Sequence, residues 1–166
     1  KIDGANVAIW RERGRLEAMG RGGVGAMDRG RQIGRLRAWL GERHDRLISA
    51  LAPGEVLYGE WLYRRHHIQY THAPSLLVIL DLWIEGTGFA PIDRRDARAT
   101  ACGLPVPPTL FEGTLGGLSK LRSLHAKARW ADEPAEGLVV RAQGGERLLA
   151  KVIAPSAGLL RGTPPR

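Results

Sequence analysis

The order of apolar and polar residues predicts both strands and helices along this chain. In the strand-like segments, apolar residues alternate with polar ones or form short runs bounded by turn signals. Two pairs of these segments are joined by short turns, RERG and QGG, and so predict β-hairpins. LLVILDLWI is apolar enough to be central in a sheet. The predicted strands are ANVAIW, RLEAM, EVLYGEWLY, LLVILDLWI, EGLVVRA (136–142) and ERLLAKVI (146–153).

Three further segments have helical spacing. Apolar residues recur at three- and four-residue steps over 31–51, which predicts one amphipathic helix with His44 on its apolar stripe. Shorter helices are predicted over 92–102 and 114–125, on either side of the turn GLPVPP. The basic, Gly-rich stretch RGGVGAMDRGRQ predicts a loop. Hairpins interrupted by helices indicate an α+β domain of mostly antiparallel sheets flanked by helices.

Composition adds a basic charge to this picture. The 166 residues suffice for one domain with a buried core, and their net charge is +8. Such a surface attracts polyanions, either nucleic acid or nucleotide phosphates. Cys102 is the one cysteine, which excludes a disulfide framework and a thiolate metal site and fits a reducing cytosol. The longest apolar run contains Asp81 and is too short to cross a bilayer, so we expect a cytoplasmic protein.

The candidate catalytic and binding residues fall in five short motifs. The chain begins KIDGAN, and LYGEWL, LLVILDLW, EGLVVR and LLAKVIAP follow in that order. KIDG alone is a weak signal, because a fixed three-residue pattern occurs by chance in about 1–2% of chains of this length. An ordered series of five motifs is a far more specific signal, and the functional interpretation depends on the series.

Lys1 could act as a covalent nucleophile only after its amine loses a proton. A lysine amine in water has a pKa of about 10.4 and is protonated at neutral pH, so it has no lone pair for attack. Nearby cations, a metal ion or desolvation favour the neutral amine. The basic stretch around Arg21 and the late Lys151 are the candidates for such cations. Gly4 permits a tight turn and a close approach of backbone to a ligand.

The five motifs, from residue 1 to about residue 155, resemble the nucleotidyltransferase motifs of ATP-dependent polynucleotide ligases. DNA ligases usually carry arginine where KIDGAN has its asparagine, so the chain is most similar to the RNA ligase 2-like branch. The resemblance implies the nucleotidyltransferase fold of ligase adenylation domains, which is ATP-grasp-like. It also implies a lysyl-AMP formed from ATP, transfer of AMP to an RNA 5′-phosphate, and sealing by a 3′-hydroxyl. Mg²⁺ or Mn²⁺ is the implied metal, RNA the partner, and the protein is expected to be a monomer.

The resemblance also assigns roles to single residues. Lys1 is the nucleophile, Glu60 contacts the ribose of the nucleotide, and Glu136 is associated with the metal. Carboxylate oxygens suit both tasks, because they accept hydrogen bonds from sugar hydroxyls and are the hard ligands that Mg²⁺ takes. If the last two strands pair, Glu136 and Lys151 lie near the same open end of the ladder. The implied nucleotide-binding residues are Asp3, Gly4, Asn6, Arg21, Glu60, Leu80 and Lys151.

Two departures from the family pattern keep other functions open. Leu80 stands where the family commonly has an aromatic residue that stacks on adenine, and Lys151 stands alone where many members have two lysines. The alternatives are a DNA ligase or capping-type guanylyltransferase, and an RNA-binding module of the same fold that has lost catalysis. We expect one adenylation domain over 1–155 that lacks the strand preceding Lys1, and a frayed tail over 156–166.

Overall fold

A computed structural model describes residues 1–21, 31–124, 129–142 and 149–153. Within these ranges every strand pair is antiparallel, which confirms the predicted α+β class. The elements are β1 (Ala5–Glu12), β2 (Arg15–Gly20), α1 (Arg31–Gly41), α2 (His44–Ala50), β3 (Glu55–Trp61), β4 (Leu77–Ile84), β5 (Gly88–Phe89), α3 (Ile92–Cys102), α4 (Leu118–Leu124), β6 (Gly137–Arg141) and β7 (Leu149–Ile153).

The chain divides into two compact units. The large unit comprises Gly4–His66 and Pro74–Pro107, and the small unit comprises Lys1–Asp3, His67–Ala73 and Pro108–Arg166. Five strands form the sheet of the large unit, in the order β2-β1-β3-β4-β5. The first two strands form the predicted hairpin, which turns at Arg13 and Gly14. Both turn residues have positive φ angles, 47° and 76°, as a two-residue type I′ turn requires.

The helices of the large unit pack on one face of its sheet. Side chains alternate between the two faces along a strand, and Ile9, Leu57 and Leu82 are the buried positions that share the helix side. Leu36, Leu47 and Ala99 from α1, α2 and α3 complete this core. The residues between these strand positions, including Asn6 and Glu60, therefore lie on the opposite face, which we call the open face.

The single helix predicted over 31–51 is two helices. Helix α1 ends at Gly41 and α2 begins at His44. The intervening turn is closed by the N–H of Arg43, which donates to the carbonyl oxygen of Leu40 at 3.1 Å, and the Arg43 guanidinium caps Trp39 O. The prediction missed the break because apolar spacing resumes in phase at Leu47. It also placed His44 in the core, whereas His44 is exposed at the start of α2.

The remaining predicted elements occur where the sequence indicated them, with one shift. Strand β4 lies inside the sheet, between β3 and the two-residue β5. Helix α3 covers the predicted range, but α4 begins at Leu118 instead of 114. Gly113 and Gly117 have φ angles of 126° and 122°, which a right-handed helix does not contain, so α4 starts only after them.

The small unit contains α4, the hairpin strands β6 and β7, and a minor apolar cluster. Gly137 pairs with Ile153 and Arg141 with Leu149, which confirms the predicted pairing of the last two strands. Ile68 and Ala131 are the buried members of the cluster, with Tyr70 and Ala135 packed against them. The predicted QGG turn, the frayed tail over 156–166 and most of the predicted Gly-rich loop lie outside the described residues.

None of the helices in the described part of the chain combines the length and apolar character that crossing a membrane requires.

Candidate active site

The first motif, KIDGAN, runs from the small unit into the large unit. Lys1 and Asp3 belong to the small unit, and Gly4 and Asn6 to the large one. In the small unit, Lys1 Nζ donates to Glu136 Oε2 and forms an ion pair with it. The Lys1 side chain is 20% exposed and that of Glu136 is 6% exposed, so the pair is largely shielded from water. The sequence-predicted nucleophile and metal-associated carboxylate are therefore in direct contact.

Asp3 anchors the segment 67–70 of the same unit. Its carboxylate is buried and accepts hydrogen bonds from the backbone N–H groups of His67, at 2.7 Å, and Ile68, at 3.2 Å. Its own N–H donates to the Tyr70 hydroxyl at 2.9 Å. These bonds fix the backbone two residues after Lys1. Asp3 thus holds the motif in shape through contacts within the small unit.

The glycines of three motifs occupy places where a side chain would meet a neighbouring main chain. A Cβ on Gly4 would lie 2.8 Å from a carbonyl oxygen, one on Gly59 would lie 2.7 Å from another, and one on Gly137 would overlap a third. The oxygens belong to Trp61, Val78 and Val152, in that order. Because Cβ atoms do not approach carbonyl oxygens this closely, glycine is required at all three positions.

Three predicted nucleotide-binding residues form a row across the sheet of the large unit. Asn6 on β1 is directly opposite Glu60 on β3, and the N–H of Arg21 donates to Asn6 O at 3.2 Å just beyond the end of β2. Residues directly opposite on antiparallel strands share a face, so Asn6 and Glu60 both lie on the open face. The Asn6 amide lies 3.5 Å from Gly59 O, and Arg21 is exposed. The row combines an amide, a carboxylate and a guanidinium.

Leu80 lies at an irregularity of β4, on the same sheet. Ile79 is opposite Gly59 and Asp81 is opposite Tyr58, so Leu80 is one extra residue, a β-bulge. Its side chain is half-buried.

Lys151 lies on β7, directly opposite Val139. Both side chains are exposed, and they mark the solvent side of the hairpin. Glu136 precedes β6 beyond the last ladder pair, Gly137 with Ile153, so Lys151 lies two residues inside the end that Glu136 adjoins. The two side chains differ in burial, since Glu136 is enclosed beside Lys1 and Lys151 projects into solvent.

A comparison with known protein families finds a match to this chain. A family model described as RNA ligase matches residues 1–153, and this range contains the first four motifs and the fifth as far as Ile153. The chain belongs to the RNA ligase family. No individual curated protein matches it significantly. The resemblance inferred from the motifs is thereby confirmed at the level of the family.

One acidic residue of the small unit has the donor chemistry of a magnesium ligand. Across the described ranges, no three or more His, Cys, Asp or Glu side chains gather into a metal site. Mg²⁺ is commonly held by one or two carboxylates together with substrate phosphates and water. Glu136 is one such carboxylate, and its pairing with the Lys1 ammonium shows that it faces a cation. Glu136 therefore offers the oxygen donor type that Mg²⁺ takes.

Two features of the candidate site escaped the sequence analysis. The partners of Asp3 lie 64 to 67 residues further along the chain. His67 and Ile68 donate backbone N–H groups, which leave no mark in a sequence, and the Nδ1 atom of His67 also lies 3.4 Å from the Asp3 carboxylate. The second feature is Arg95 of α3, which is buried and donates to Leu80 O at 2.9 Å. Helix α3 contains three arginines, and its sequence has no feature that distinguishes Arg95, the buried one.

Proposed function

We propose that this protein is an ATP-dependent RNA ligase that acts through a covalent lysyl-AMP on Lys1. The observation that carries the proposal is the shielded ion pair of Lys1 with Glu136, in a chain that belongs to the RNA ligase family. We also infer the nucleotidyltransferase fold of adenylation domains. The antiparallel sheet with helices on one face supports this inference.

The first step would be attack of Lys1 Nζ on the α-phosphate of ATP. A nitrogen–phosphorus bond forms, the bond from that phosphorus to the bridging oxygen breaks, and pyrophosphate leaves. The ammonium must lose a proton first, and Glu136 holds its nitrogen in a defined direction. Mg²⁺ bound beside Glu136 would supply neutralisation of phosphate charge. AMP would then pass to a 5′-phosphate of RNA, and a 3′-hydroxyl would displace AMP and join the strands.

The row on the open face would bind the nucleotide. The Glu60 carboxylate suits hydrogen bonds from the ribose hydroxyls, and the Arg21 guanidinium suits phosphate oxygens. Asn6 can donate to a phosphate, and Lys151 would add a further positive charge. Leu80 would pack on the adenine in place of an aromatic ring. The register that brings Asn6 and Glu60 side by side supports assigning them to one ligand.

RNA as the substrate is supported by charge and by one exposed ring. The chain carries +8, and Arg35 lies over the ring of Tyr63, with 5.8 Å from Cζ to the ring centroid. Tyr63 is 48% exposed and stacks at 13° on the buried Trp61. Single-stranded RNA is commonly bound by aromatic rings and guanidinium planes on which bases stack.

Competition between nucleotides and between strands tests the proposal against its alternatives. The full-length protein is incubated with Mg²⁺ and labelled ATP or GTP, then with nicked duplexes whose broken strand is RNA or DNA. We expect labelling by ATP and sealing of the RNA strand. Preferential labelling by GTP would favour a capping-type enzyme, and preferential sealing of DNA would favour a DNA ligase. RNA binding without any labelling would indicate a module that has lost catalysis.

A further inference from the structure

The bulge at Leu80 is required by the apolar pattern of β4. Ile79 and Leu82 are both fully buried in the core beneath the helices. In a regular strand, residues three apart point to opposite faces, so these two could not both face the helices. One extra residue between them restores the phase. Leu80 and Asp81 are the residues left for the open face.

Arg95 holds the backbone at this bulge. Its side chain comes from α3, is 8% exposed, and donates from Nη1 to Leu80 O at 2.9 Å. Its Nε donates to Asp96 Oδ1 at 2.6 Å, which fixes the plane of the guanidinium. Strand β5 pairs with β4 only at Trp83 and Ile84, so no ladder partner from β5 reaches Leu80. A charged donor from the helix layer takes this place.

We propose that Arg95 is a positioning residue for adenine recognition, acting through the carbonyl of Leu80. This inference rests on the proposed function, in which Leu80 packs on the base. The apolar pattern dictates that a bulge exists, while the bond from Arg95 determines how rigidly Leu80 is held. The open face at this level also carries Glu60, which is opposite Val78 two residues before Leu80. Arg95 thereby sets the position of the base-contacting side chain relative to the ribose-contacting carboxylate.

Arg98 provides a matched control on the same helix. It also donates to a backbone carbonyl, that of Ala50, and it pairs with Glu55 at 2.8 Å between Nη2 and Oε1. These contacts connect α3 to the end of α2 and the start of β3, and Leu80 is not among the partners. Replacing Arg98 removes a comparable set of charge-assisted hydrogen bonds without touching the bulge.

The test measures binding of fluorescent ATP and GTP analogues to Arg95→Met, Arg95→Lys and Arg98→Met, corrected for the folded fraction by circular dichroism. We expect Arg95→Met to weaken ATP binding about tenfold and to reduce the preference for ATP over GTP. Arg95→Lys should recover part of both, and Arg98→Met should change neither. If Arg95→Met does not fold, Asp96→Asn loosens the same guanidinium and should give a smaller change of the same kind.

Equal effects of Arg95→Met and Arg98→Met on the ATP-to-GTP ratio would overturn the inference. Binding needs no chemistry, so the outcome is separate from that of the proposed reaction. A wild-type protein that binds ATP but forms no adduct would overturn the proposed catalysis and leave the Arg95 result valid. A wild-type protein that binds neither nucleotide would overturn both.

Discussion

Lys1 and Glu136 are 135 residues apart in the chain, and their contact brings the first motif to the fourth. Each side chain has a low exposed fraction, so the ion pair is only weakly screened by water. Asp3 reinforces the arrangement by fixing the backbone close to Lys1. At the scale of residues, the small unit holds the Lys1 amine and the Glu136 carboxylate in a defined geometry, and the buried Asp3 fixes the backbone next to Lys1.

Glu136→Gln should reduce lysyl-AMP formation about 100-fold, because the amide is a poor metal ligand and does not compensate the Lys1 ammonium. The rate of single-turnover labelling with ATP measures this. Glu133→Gln, in the same unit, removes a carboxylate charge but keeps an oxygen that can accept from the N–H of Gln69, and it should label at close to the wild-type rate. Equal rates for wild type and Glu136→Gln would contradict the assigned role.

Cys102 gives a prediction for pH dependence. Burial raises the pKa of its thiol from 9.0 to about 11, so the folded state retains a proton that the unfolded state loses. The contribution to stability is therefore complete below pH 9 and is lost as the pH rises from 9 toward 11. Cys102→Ala should flatten this part of the curve of unfolding free energy against pH. An unchanged slope between pH 9 and 11 would contradict the prediction.

At the scale of elements, β3 combines structural and chemical demands in one strand. Leu57 and Trp61 face the core, Glu60 faces the open side, and Gly59 allows β4 to approach. The alternation of buried residues made this strand predictable. The break between α1 and α2 was not predictable from spacing, because the apolar positions of both helices face the same core. The bulge at Leu80 follows from the burial of both Ile79 and Leu82, but in a run as apolar as LLVILDLWI the sequence does not show which residues are buried.

Gly59→Ala should lower the free energy of unfolding by about 1–3 kcal/mol, because the new methyl group would press on Val78 O. Chemical denaturation measures the difference. Gly34→Ala is the control, since Gly34 lies within α1 and a Cβ there meets nothing within 4 Å. That substitution should be neutral or stabilise by up to about 1 kcal/mol. Similar losses at both positions would show that the close approach of β4 to Gly59 is not the cause.

At the scale of the whole molecule, the motifs that indicate the family are spread over several strands and both units. The ordered motifs sufficed to predict the family and the α+β class. The residues that position the motifs, Arg95 and the segment 67–70, could not be predicted. Arg95 donates to the backbone carbonyl of Leu80, and Asp3 accepts from the N–H group of Ile68. Every residue possesses such backbone groups, so only the folded chain shows which of them are used.

The logarithm of the RNA affinity should fall linearly with the logarithm of the salt concentration, as expected for contacts that release counterions from phosphates.

Tyr63→Ala should reduce the free energy of RNA binding by about 1–3 kcal/mol, the contribution of one stacked base. Phe89→Ala serves as the control, because Phe89 is exposed to a similar extent, 45% against 48%. Fluorescence anisotropy with a labelled single strand measures both. Equal losses for the two variants would contradict a specific role of the ring beneath Arg35.

The most direct test of the proposed chemistry is mass spectrometry of the full-length protein after incubation with ATP and Mg²⁺. We predict a covalent gain of one AMP, located on Lys1 by peptide mapping. Lys1→Ala should gain none, and Lys120→Ala, which alters an exposed lysine of α4, should gain as much as wild type. Absence of the adduct from the wild-type protein, or its presence on Lys1→Ala, would contradict catalysis through Lys1.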